Sequence, residues 1–306
     1  MRILVLRLSA LGDVIHTIPA VSLLRPVADV TWVVEAPYAE LVEIVTGVKT
    51  IPVRLKRWTR RPLQSRTELR RTLSQIRGFD AAVDFQGLIK SAVLTWLSRA
   101  PDRYGFSREL IREKPAVVFT NRRVTVNRLS HVIDWNRELA RAVTSNRTPS
   151  EERWSDFAAD PEGRVKPFAG RIVLLPGAGK LKKQWPVARF RALVHRYPGR
   201  TVVVWGPGER QLAEAIGGEI APETNLRELA ALLRDAQLVV GGDTGPLHLA
   251  VAMGAKVVGL YGPTDPARNG PYGQIASTVD HYRGGDRTME SIGVEEVIAR
   301  MEERLG

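Results

Sequence analysis

Short apolar runs alternate with helix-forming segments along this chain, and most of the runs end at a turn that contains glycine. This alternation is typical of parallel sheets with helices on both faces, because parallel strands need a crossover connection. The run at 236–240 is the clearest example, since it stops at Gly241 and Gly242 and leads into a helix-forming segment. The sequence therefore predicts an α/β fold in which turns at the carboxyl ends of the strands bind the ligands.

The turn at 241–248 has the composition of an anion site. Asp243 and Thr244 suit the N-cap of a helix, and Pro246 suits its first turn. A helix start presents backbone N–H groups and the positive end of the helix dipole, which together favour a diphosphate. An ordinary strand–turn–helix connection is the alternative, and His248 on the first turn favours a binding site.

The length of 306 residues allows two domains, each with its own core. A polar segment at 145–163 predicts a linker, after which the alternation of strands and helices begins again. We predict strands at 2–8, 30–34, 81–85, 172–175, 201–205, 236–240 and 256–260. The predicted helices are 13–24, with a kink at Pro19, and 67–76, 88–99, 129–142 and 294–305.

The composition limits the compartment in which the protein works. The chain has no cysteine, which excludes disulfides and thiolate metal sites. Every apolar run is shorter than the roughly 18 residues of a membrane-spanning helix. The apolar start of the chain is interrupted by Arg7 and Asp13, so it predicts a buried strand and not a signal segment. We therefore expect a cytoplasmic protein.

The net charge of +12 is concentrated in the first half of the chain. The segment 54–77 contains nine basic residues and a single acid, Glu68. Nucleic acid, an anionic membrane surface or a polyanionic substrate would each complement such a segment, and a solvated helix face is the remaining alternative. Nucleic acid is disfavoured, because Trp58 is not part of a series of interleaved aromatic residues.

Asp13 follows the first predicted strand in the turn 9–13. Ligands bind at this position in doubly wound sheets. The carboxylate could cap the helix that follows, or it could act as a general base toward a bound hydroxyl. The spacing leaves both roles open.

The loop 177–186 combines two glycines with Lys180, Lys182 and Lys183 ahead of a helix start. Ammonium groups and backbone amides could hold a phosphate there, although the Walker A spacing is absent. Glu209 follows a glycine pair at 206–208 and could accept hydrogen bonds from ribose hydroxyls. The alternatives are a surface lysine cluster and an exposed glutamate at a helix start.

Several other chemistries lack support in the sequence. The five histidines show no metal-ligand spacing, and no nucleophile elbow of the Gly-x-Ser-x-Gly type is present. The turn 206–208 lacks the third glycine of a dinucleotide fingerprint. Dehydrogenase, serine hydrolase and zinc enzyme functions are therefore disfavoured.

Five segments together resemble the bacterial ADP-heptose:lipopolysaccharide heptosyltransferases, and they span nearly the whole chain: 9–20, 84–91, 183–186, 243–248 and 261–266. The resemblance implies a GT-B fold, in which two Rossmann-like domains face each other across a cleft. The domain 1–160 would bind the acceptor and the domain 161–306 the nucleotide sugar, with the last helix packing back on the first domain. Transfer would be inverting, without a metal or cofactor.

Matching motifs assign roles to individual residues by resemblance. Asp13 would be the catalytic base. Binding of the donor, ADP-heptose, is implied for Gly12, Lys183, Glu209, Asp243, Thr244, Gly245 and His248. Binding of the anionic acceptor is implied for Lys56, Arg57, Arg60 and Arg112. Thr224 stands where the family often has a methionine near the adenine.

Within the family, the segments 86–91 and 56–60 are most similar to the members that add the first heptose to the Kdo sugars of lipid A. The implied partners are ADP-heptose, the Kdo–lipid A acceptor and the cytoplasmic face of the inner membrane, where the protein would associate peripherally. No nucleic acid partner is implied. A member that adds the second heptose, or a glycosyltransferase with another nucleotide sugar or acceptor, is the alternative.

Overall fold

A computed structural model describes residues 1–61 and 64–306 of the chain. They form two compact units, Met1–Arg153 and Trp154–Gly306, so the division lies a little ahead of the expected boundary at 160. The first part of the predicted linker is bonded to the first unit. The backbone N–H of Ser150 donates to the carbonyl of Ser22 at 2.7 Å, and that of Arg153 donates to Val45 at 2.9 Å.

The first unit is a parallel six-stranded sheet with the strand order β3-β2-β1-β4-β5-β6. Its strands are β1 Arg2–Leu6, β2 Asp29–Glu35, β3 Lys49–Val53, β4 Ala81–Asp84, β5 Asp102–Phe106 and β6 Arg122–Val124. Its helices are α1 Leu11–Ile15, α2 Ile18–Leu24, α3 Ala39–Thr46, α4 Leu55–Arg60, α5 Arg66–Gln75, α6 Ile89–Leu97 and α7 Val132–Thr144. A 3-10 helix at Lys114–Phe119 packs against α6.

The second unit is also a parallel six-stranded sheet, with the order β12-β11-β10-β7-β8-β9. Its strands are β7 Ile172–Leu175, β8 Thr201–Val203, β9 Glu219–Ile220, β10 Leu238–Gly242, β11 Val257–Tyr261 and β12 Thr278–Asp280. Its helices are α8 Trp154–Phe157, α9 Val187–Arg196, α10 Arg210–Ile216, α11 Leu226–Arg234, α12 Gly245–Ala252, α13 Pro266–Asn269 and α14 Val294–Leu305. The last helix, α14, packs on α9 and on β10, β11 and β12 of its own unit.

The two sheets have the same topology. When the strands of the second unit are counted from β7, its order matches that of the first, with the first and fourth strands adjacent at the centre. From this adjacent pair, successive strands are added outward in opposite directions along the sheet. Doubly wound sheets bind ligands at the carboxyl ends of the two strands where the order reverses. The expected binding positions are therefore the ends of β1 and β4 in the first unit and of β7 and β10 in the second.

The helices α4, α5 and α6 cover one face of the first sheet. Trp58 of α4 and Leu94 of α6 belong to one buried apolar cluster with Leu4 and Leu6 of β1, and Leu69 of α5 packs against that cluster. Residues two apart on a strand point to the same face, so Leu4 and Leu6 define a single side of the sheet. The charged segment 54–77 and α6 therefore share that side.

The predicted helix at 13–24 is two helices, α1 and α2, which are separated at His16 and Thr17. Pro19 has no backbone N–H to donate to a preceding turn, and it lies in the first turn of α2, where none is needed. The predicted kink is therefore a complete break. Ten elements were not predicted from the sequence: the strands β3, β5, β6, β9 and β12 and the helices α3, α4, α8, α11 and α13. None of the helices in the described ranges has the length and apolar character required to cross a bilayer.

Candidate active site residues in the two units

Asp13 lies at the carboxyl end of β1, in the third position of α1. The helix begins at Leu11, two residues earlier than predicted, and Ala10 occupies the N-cap. Asp13 is therefore not the N-cap residue, although its carboxylate does satisfy a backbone donor at the start of the helix. Its carboxylate accepts a hydrogen bond from the backbone N–H of Ala10, at 3.2 Å to Oδ2. Gly12 is buried beside it in the first turn of α1.

Arg7 fixes the other oxygen of this carboxylate. Its Nη2 lies 2.6 Å from Oδ1 of Asp13, and its Nη1 donates to the backbone carbonyl of Phe85. The Arg7 side chain is only 8% exposed, whereas that of Asp13 is 48% exposed. A buried cation thus holds a carboxylate that solvent, or a bound substrate, can reach.

The turn after β4 supports this arrangement. The buried Asp84 accepts hydrogen bonds from the backbone N–H groups of Gln86 and Gly87 at 2.9 and 3.1 Å, and from the Ser91 hydroxyl at 3.0 Å. Burial raises the pKa of Asp84 to about 6, against the opposing effect of these hydrogen bonds and of Arg7. The Gln86 side chain accepts from the backbone N–H of Leu8 at 2.8 Å. The turn after β4 is therefore tied to the turn that carries Asp13.

A cavity of about 570 Å³ lies beside Ala10, the residue that bonds Asp13. It is lined by Ser9, Ala10, Glu35, Pro37, Tyr38, Leu55 and Lys90. The Lys90 ammonium donates to the Ser9 hydroxyl at 3.3 Å. Burial raises the pKa of Tyr38, as do the charges of Glu35 and Asp13, against a hydrogen bond to the Leu11 backbone. This wall of ammonium, carboxylate and phenol groups suits a polar ligand with several hydroxyls.

Only some of the predicted acceptor-binding residues lie near this cavity. Arg57 lines an adjoining cavity of about 500 Å³ together with Arg54, and the two cavities share Glu35 and Pro37. Arg60 is exposed at the end of α4. Lys56 lies on the same helix, but its side chain falls outside the described part of the chain.

Arg112 is exposed in the loop ahead of the 3-10 helix. It precedes Glu113, whose carboxylate accepts from the backbone N–H of Ile89 at 2.7 Å. That bond places this part of the loop at the start of α6, close in sequence to Lys90. Arg112 therefore belongs to the same edge of the first sheet as the turn after β4.

In the second unit, three predicted residues meet at the carboxyl end of β10. The Lys183 ammonium lies 2.6 Å from Oδ2 of Asp243, and Nε2 of His248 lies 3.1 Å from Oδ1. Asp243 and His248 are buried, and the Lys183 side chain is 25% exposed. The ammonium also donates to the Asp243 carbonyl at 3.4 Å. Since an ammonium has three donors, one is left for a ligand.

The Asp243 carboxylate is the centre of this cluster. Burial would raise the pKa of Asp243, but the hydrogen bond with His248 and the charges of His248 and Lys183 outweigh burial and lower the pKa to about 2. Asp243 is therefore ionised at neutral pH. The ionised carboxylate in turn holds Lys183 and His248 in fixed positions.

Two glycines allow the loop after β7 to approach β10. A Cβ atom at Gly242 would lie 3.0 Å from the Lys183 carbonyl oxygen, and one at Gly241 would lie 2.8 Å from Leu175 Cβ. Contrary to the prediction, β10 runs through both glycines before it ends. Close packing of the backbone at this point brings Lys183 within reach of Asp243.

The start of α12 has the features of an anion site. Thr244 occupies the N-cap, as its residue type predicts, but its side chain forms no capping hydrogen bond. Its hydroxyl oxygen is buried without a hydrogen-bond partner among the described residues. The first turn contains Gly245, Pro246 and Leu247, so the N–H groups of Gly245 and Leu247 lack helical acceptors. A ligand with phosphate oxygens would satisfy these groups.

Glu209 occupies the N-cap of α10 after β8, and its Oε2 accepts from the backbone N–H of Gly206 at 3.0 Å. A Cβ atom at Gly177 would overlap this carboxylate, so the loop after β7 passes directly against it. Glu209 thus lies beside the loop that leads to Lys183. Lys180 and Lys182 are exposed on the same loop.

Sequence reasoning missed Arg7, Tyr38 and Lys90. A single charged residue at the end of an apolar strand was the available signal for Arg7, whereas nothing in the sequence linked Tyr38 to the turn 9–13. Within the described residues, no cluster of three or more His, Asp or Glu side chains is arranged to hold a metal ion.

Comparisons with known proteins show the family to which the chain belongs. The sequence model of Glycosyltransferase family 9 (heptosyltransferase) matches residues 66–291. The lipopolysaccharide heptosyltransferase 1 of Pseudomonas aeruginosa is 34% identical over 90% of this chain and 82% of its own length. The enzyme of the same name from Escherichia coli K12 is 30% identical over 90% of this chain and 92% of its own length.

Solved structures give the same result. E. coli heptosyltransferase WaaC with ADP-2-deoxy-2-fluoro heptose superposes with a TM-score of 0.81 and 28% identity over 99% of both chains. The E. coli ADP-heptose lipopolysaccharide heptosyltransferase II has the same fold, with a TM-score of 0.71 and 19% identity over all of this chain and 98% of its own. The predicted GT-B fold is thereby confirmed. With this fold and these relatives, the chain is a member of glycosyltransferase family 9, the heptosyltransferases.

Proposed function

We propose that this heptosyltransferase moves heptose from ADP-heptose to the Kdo region of lipid A. Two relatives that match 90% of the chain at 30% and 34% identity are named lipopolysaccharide heptosyltransferase 1, and the matching WaaC structure contains an ADP-heptose analogue. One observation carries the proposal: the two sheets present different chemical groups at equivalent strands. One carries an accessible carboxylate at its central strands, and the other carries an anion site at the equivalent strands.

Asp13 acts as the general base in this proposal. An acceptor hydroxyl gives its proton to the carboxylate as its oxygen forms a bond to the anomeric carbon of the heptose. The bond from that carbon to the diphosphate oxygen breaks at the same time, and its electron pair leaves with ADP. This single displacement inverts the configuration at the anomeric carbon. Arg7 holds Oδ1 at 2.6 Å, whereas Oδ2 accepts only the longer bond from the Ala10 N–H, so the remaining lone pair of Oδ2 receives the proton.

The second unit stabilises the departing diphosphate. Negative charge develops on it as the bond breaks, and the first-turn N–H groups of α12, the Thr244 hydroxyl and the Lys183 ammonium are the groups that would receive it. Because these groups supply the positive charge, the proposed reaction needs no metal. One donor of this type is worth about 3–4 kcal/mol of the activation barrier.

Asp243 and His248 have a supporting role for the donor. Asp243 holds Lys183 at 2.6 Å, which positions the ammonium, and its carboxylate lies beside the bound sugar in this proposal. Glu209 receives the ribose hydroxyls at the end of β8. Gly12 contributes a backbone without a side chain next to Asp13, which permits close approach of the donor.

Basic residues bind the acceptor in this proposal. The carboxylates of Kdo and the phosphates of lipid A are anionic, and Arg57 supplies a complementary charge in the cavity that adjoins the one beside Ala10. The other residues proposed to bind the acceptor are Lys56, Arg60 and Arg112. The acceptor is embedded in the cytoplasmic leaflet of the inner membrane, so the protein associates with that surface peripherally. The excess of basic over acidic residues fits such an association.

A panel of donors and acceptors tests the proposal. The purified protein is incubated with ADP-heptose, ADP-glucose or a UDP-sugar, and with Kdo–lipid A or its singly heptosylated form, and products are identified by mass spectrometry. We expect one heptose to be added to Kdo–lipid A from ADP-heptose alone. Transfer only to the heptosylated acceptor would instead assign the second-heptose reaction, and transfer from another donor would refute the choice of ADP-heptose.

A further inference from the structure

The outward side of α6 is apolar. Ile89, Val93 and Trp96 follow one another at helical spacing on the exposed side of the helix. Ile89 is 43% exposed and Trp96 is 55% exposed, whereas Val93 is partly buried between them. A helix of a sheet domain ordinarily presents polar residues on this side, so the stripe is unexplained by the fold.

The neighbouring 3-10 helix extends this surface. Val118 is 68% exposed, and the ring of Phe119 contacts that of Trp96 with centroids 6.3 Å apart. Val118 precedes Phe119 in the chain, and Ile89 lies two helical turns before Trp96, with Val93 between them. We call these four apolar side chains the α6 patch: Ile89, Trp96, Val118 and Phe119. Single exposed apolar residues are common on soluble proteins, but a contiguous patch marks an interaction surface.

The exposed charges around the α6 patch are mainly basic, although the Glu113 carboxylate lies at the start of α6, where it accepts from the Ile89 N–H. Lys90 and Arg99 are exposed at the two ends of α6, and Lys114 is exposed at the start of the 3-10 helix. The helices α4 and α5 cover the same face of the sheet, and their exposed arginines include Arg57, Arg60, Arg66, Arg70 and Arg71. An apolar patch with a tryptophan, surrounded by cations, fits the headgroup region of an anionic bilayer.

We infer that the α6 patch inserts into the surface of an anionic phospholipid bilayer. This inference rests on the proposed function, because a membrane-embedded acceptor requires the enzyme to work at a bilayer. The positive charge around the patch favours an anionic bilayer over a second copy of the chain, because a second copy would present the same positive face and be repelled. Trp96 and Phe119 could stack on bases, but the aliphatic Ile89 and Val118 could not. All four side chains can enter the boundary between headgroups and acyl chains.

Fluorescence locates the contact directly. Since the chain has no cysteine, Val118→Cys gives a single attachment point for an environment-sensitive fluorophore. Val27→Cys is the matched control, an exposed valine that follows α2 and lies outside the patch. Vesicles of phosphatidylcholine with phosphatidylglycerol should blue-shift and intensify the emission at position 118 and leave that at 27 unchanged. Vesicles of phosphatidylcholine alone should have little effect, because the basic surroundings then gain no attraction.

Flotation with the same vesicles measures the contribution of the patch. The double variant Trp96→Asp and Val118→Asp should lose at least about tenfold in vesicle partitioning, since it removes two apolar side chains that would enter the bilayer and adds negative charge. Val27→Asp should partition like the wild type. Equal partitioning of the wild type and the double variant would overturn the inference. So would a concentration-dependent shift at position 118 without vesicles, which would assign the patch to a second copy.

The transferase assay separates this inference from the proposed function. With a water-soluble Kdo acceptor that lacks acyl chains, the double variant should retain wild-type turnover, because none of its changes touches the site. If the wild type transferred heptose to none of the acceptors but still bound vesicles, the proposed function would be refuted and the surface would remain assigned. If transfer were normal and the double variant bound vesicles as well as the wild type does, only the assignment of the surface would be refuted.

Discussion

Arg7 and Asp13 form an ion pair of 2.6 Å in which the cation is buried and the carboxylate is half exposed. The guanidinium also binds the Phe85 carbonyl, so it links the ends of the two central strands of the first sheet. An exposed aspartate at a helix start would otherwise be free to rotate. The pair gives this carboxylate a defined orientation, which a general base requires.

Replacement of Asp13 tests its role as the base. Asp13→Asn keeps the shape of the side chain but cannot accept a proton, so we expect turnover to fall by about 10²–10⁴-fold. The affinity for ADP should change by no more than a few fold, because the nucleotide groups lie in the other unit. Steady-state kinetics and calorimetry with ADP measure the two quantities. Near-normal turnover in this variant would disprove the assignment.

Replacement of Arg7 tests the positioning. Arg7→Lys retains the charge but cannot bridge Asp13 and Phe85 with one planar group, so kcat should fall by up to about 100-fold while the donor KM stays constant. Arg122→Lys is the control, since Arg122 forms an exposed pair with Asp102 at 2.8 Å away from the site. A rise in the donor KM as large as the fall in kcat would argue against a positioning role. So would a comparable loss of activity in the Arg122→Lys control.

Lys183 should affect both donor binding and turnover. Lys183→Ala removes a cation from the diphosphate and leaves the buried Asp243 without one of its partners, so we expect kcat/KM for ADP-heptose to fall by about 10²–10³-fold. Lys182→Ala changes an exposed lysine of the same loop and should have no comparable effect. Equal effects of the two variants on ADP affinity and kcat would show that only the general charge of the loop matters.

The buried Asp84 should make stability depend on pH. Its pKa of about 6 in the folded protein exceeds the ordinary value of 3.8. The folded state therefore binds the proton more tightly, and the stability from this group is fully present below about pH 4 and lost as pH rises through 6. The loss amounts to about 3 kcal/mol.

Asp84→Asn removes this titration, and Asn can still accept from the N–H groups of Gln86 and Gly87. The difference in unfolding free energy between wild type and variant, followed from pH 4 to 7, should therefore move in favour of the variant as pH increases. Urea unfolding at each pH provides the measurement. A constant difference across this range would show that Asp84 does not titrate there.

Acceptor binding should be sensitive to salt. Arg57→Ala removes a cation beside the cavities of the first unit and should raise the acceptor KM with little change in kcat. The wild-type KM should increase with ionic strength, because screening weakens attraction between exposed charges. Arg147→Ala, an exposed change in the segment after α7, is the control. An acceptor KM that changes neither with salt concentration nor on replacement of Arg57 would refute the acceptor-binding role of this surface.

The sequence predicted the parts of the fold that depend on local patterns. The strand at 172–175 and the helix at 294–305 have the predicted bounds, because buried strands and amphipathic helices have strong periodicity. The edge strands β3 and β6 were missed, since β3 contains Pro52 and β6 is three residues of mostly exposed chain. Such strands are recognisable only from their pairing partners.

In the candidate site, too, local patterns were predictable from the sequence and long-range contacts were not. Gly241 to His248 could be recognised because glycines, a capping residue and a proline occur together in one short segment. The contact between Lys183 and Asp243 joins residues sixty positions apart and depends on the close approach that Gly242 allows. Arg7 was missed for a similar reason, because its two partners, Asp13 and Phe85, lie on different turns.

The identical strand order of the two sheets has a consequence for engineering. Each unit contains a complete sheet, and apart from Gly12 the groups proposed for donor and acceptor lie in separate units, divided at Arg153 and Trp154. A chimera joined at that point to a homologous half would inherit its nucleotide-sugar preference from one parent and its acceptor preference from the other. Substrate specificity in this architecture is thus a modular property, open to recombination of whole halves.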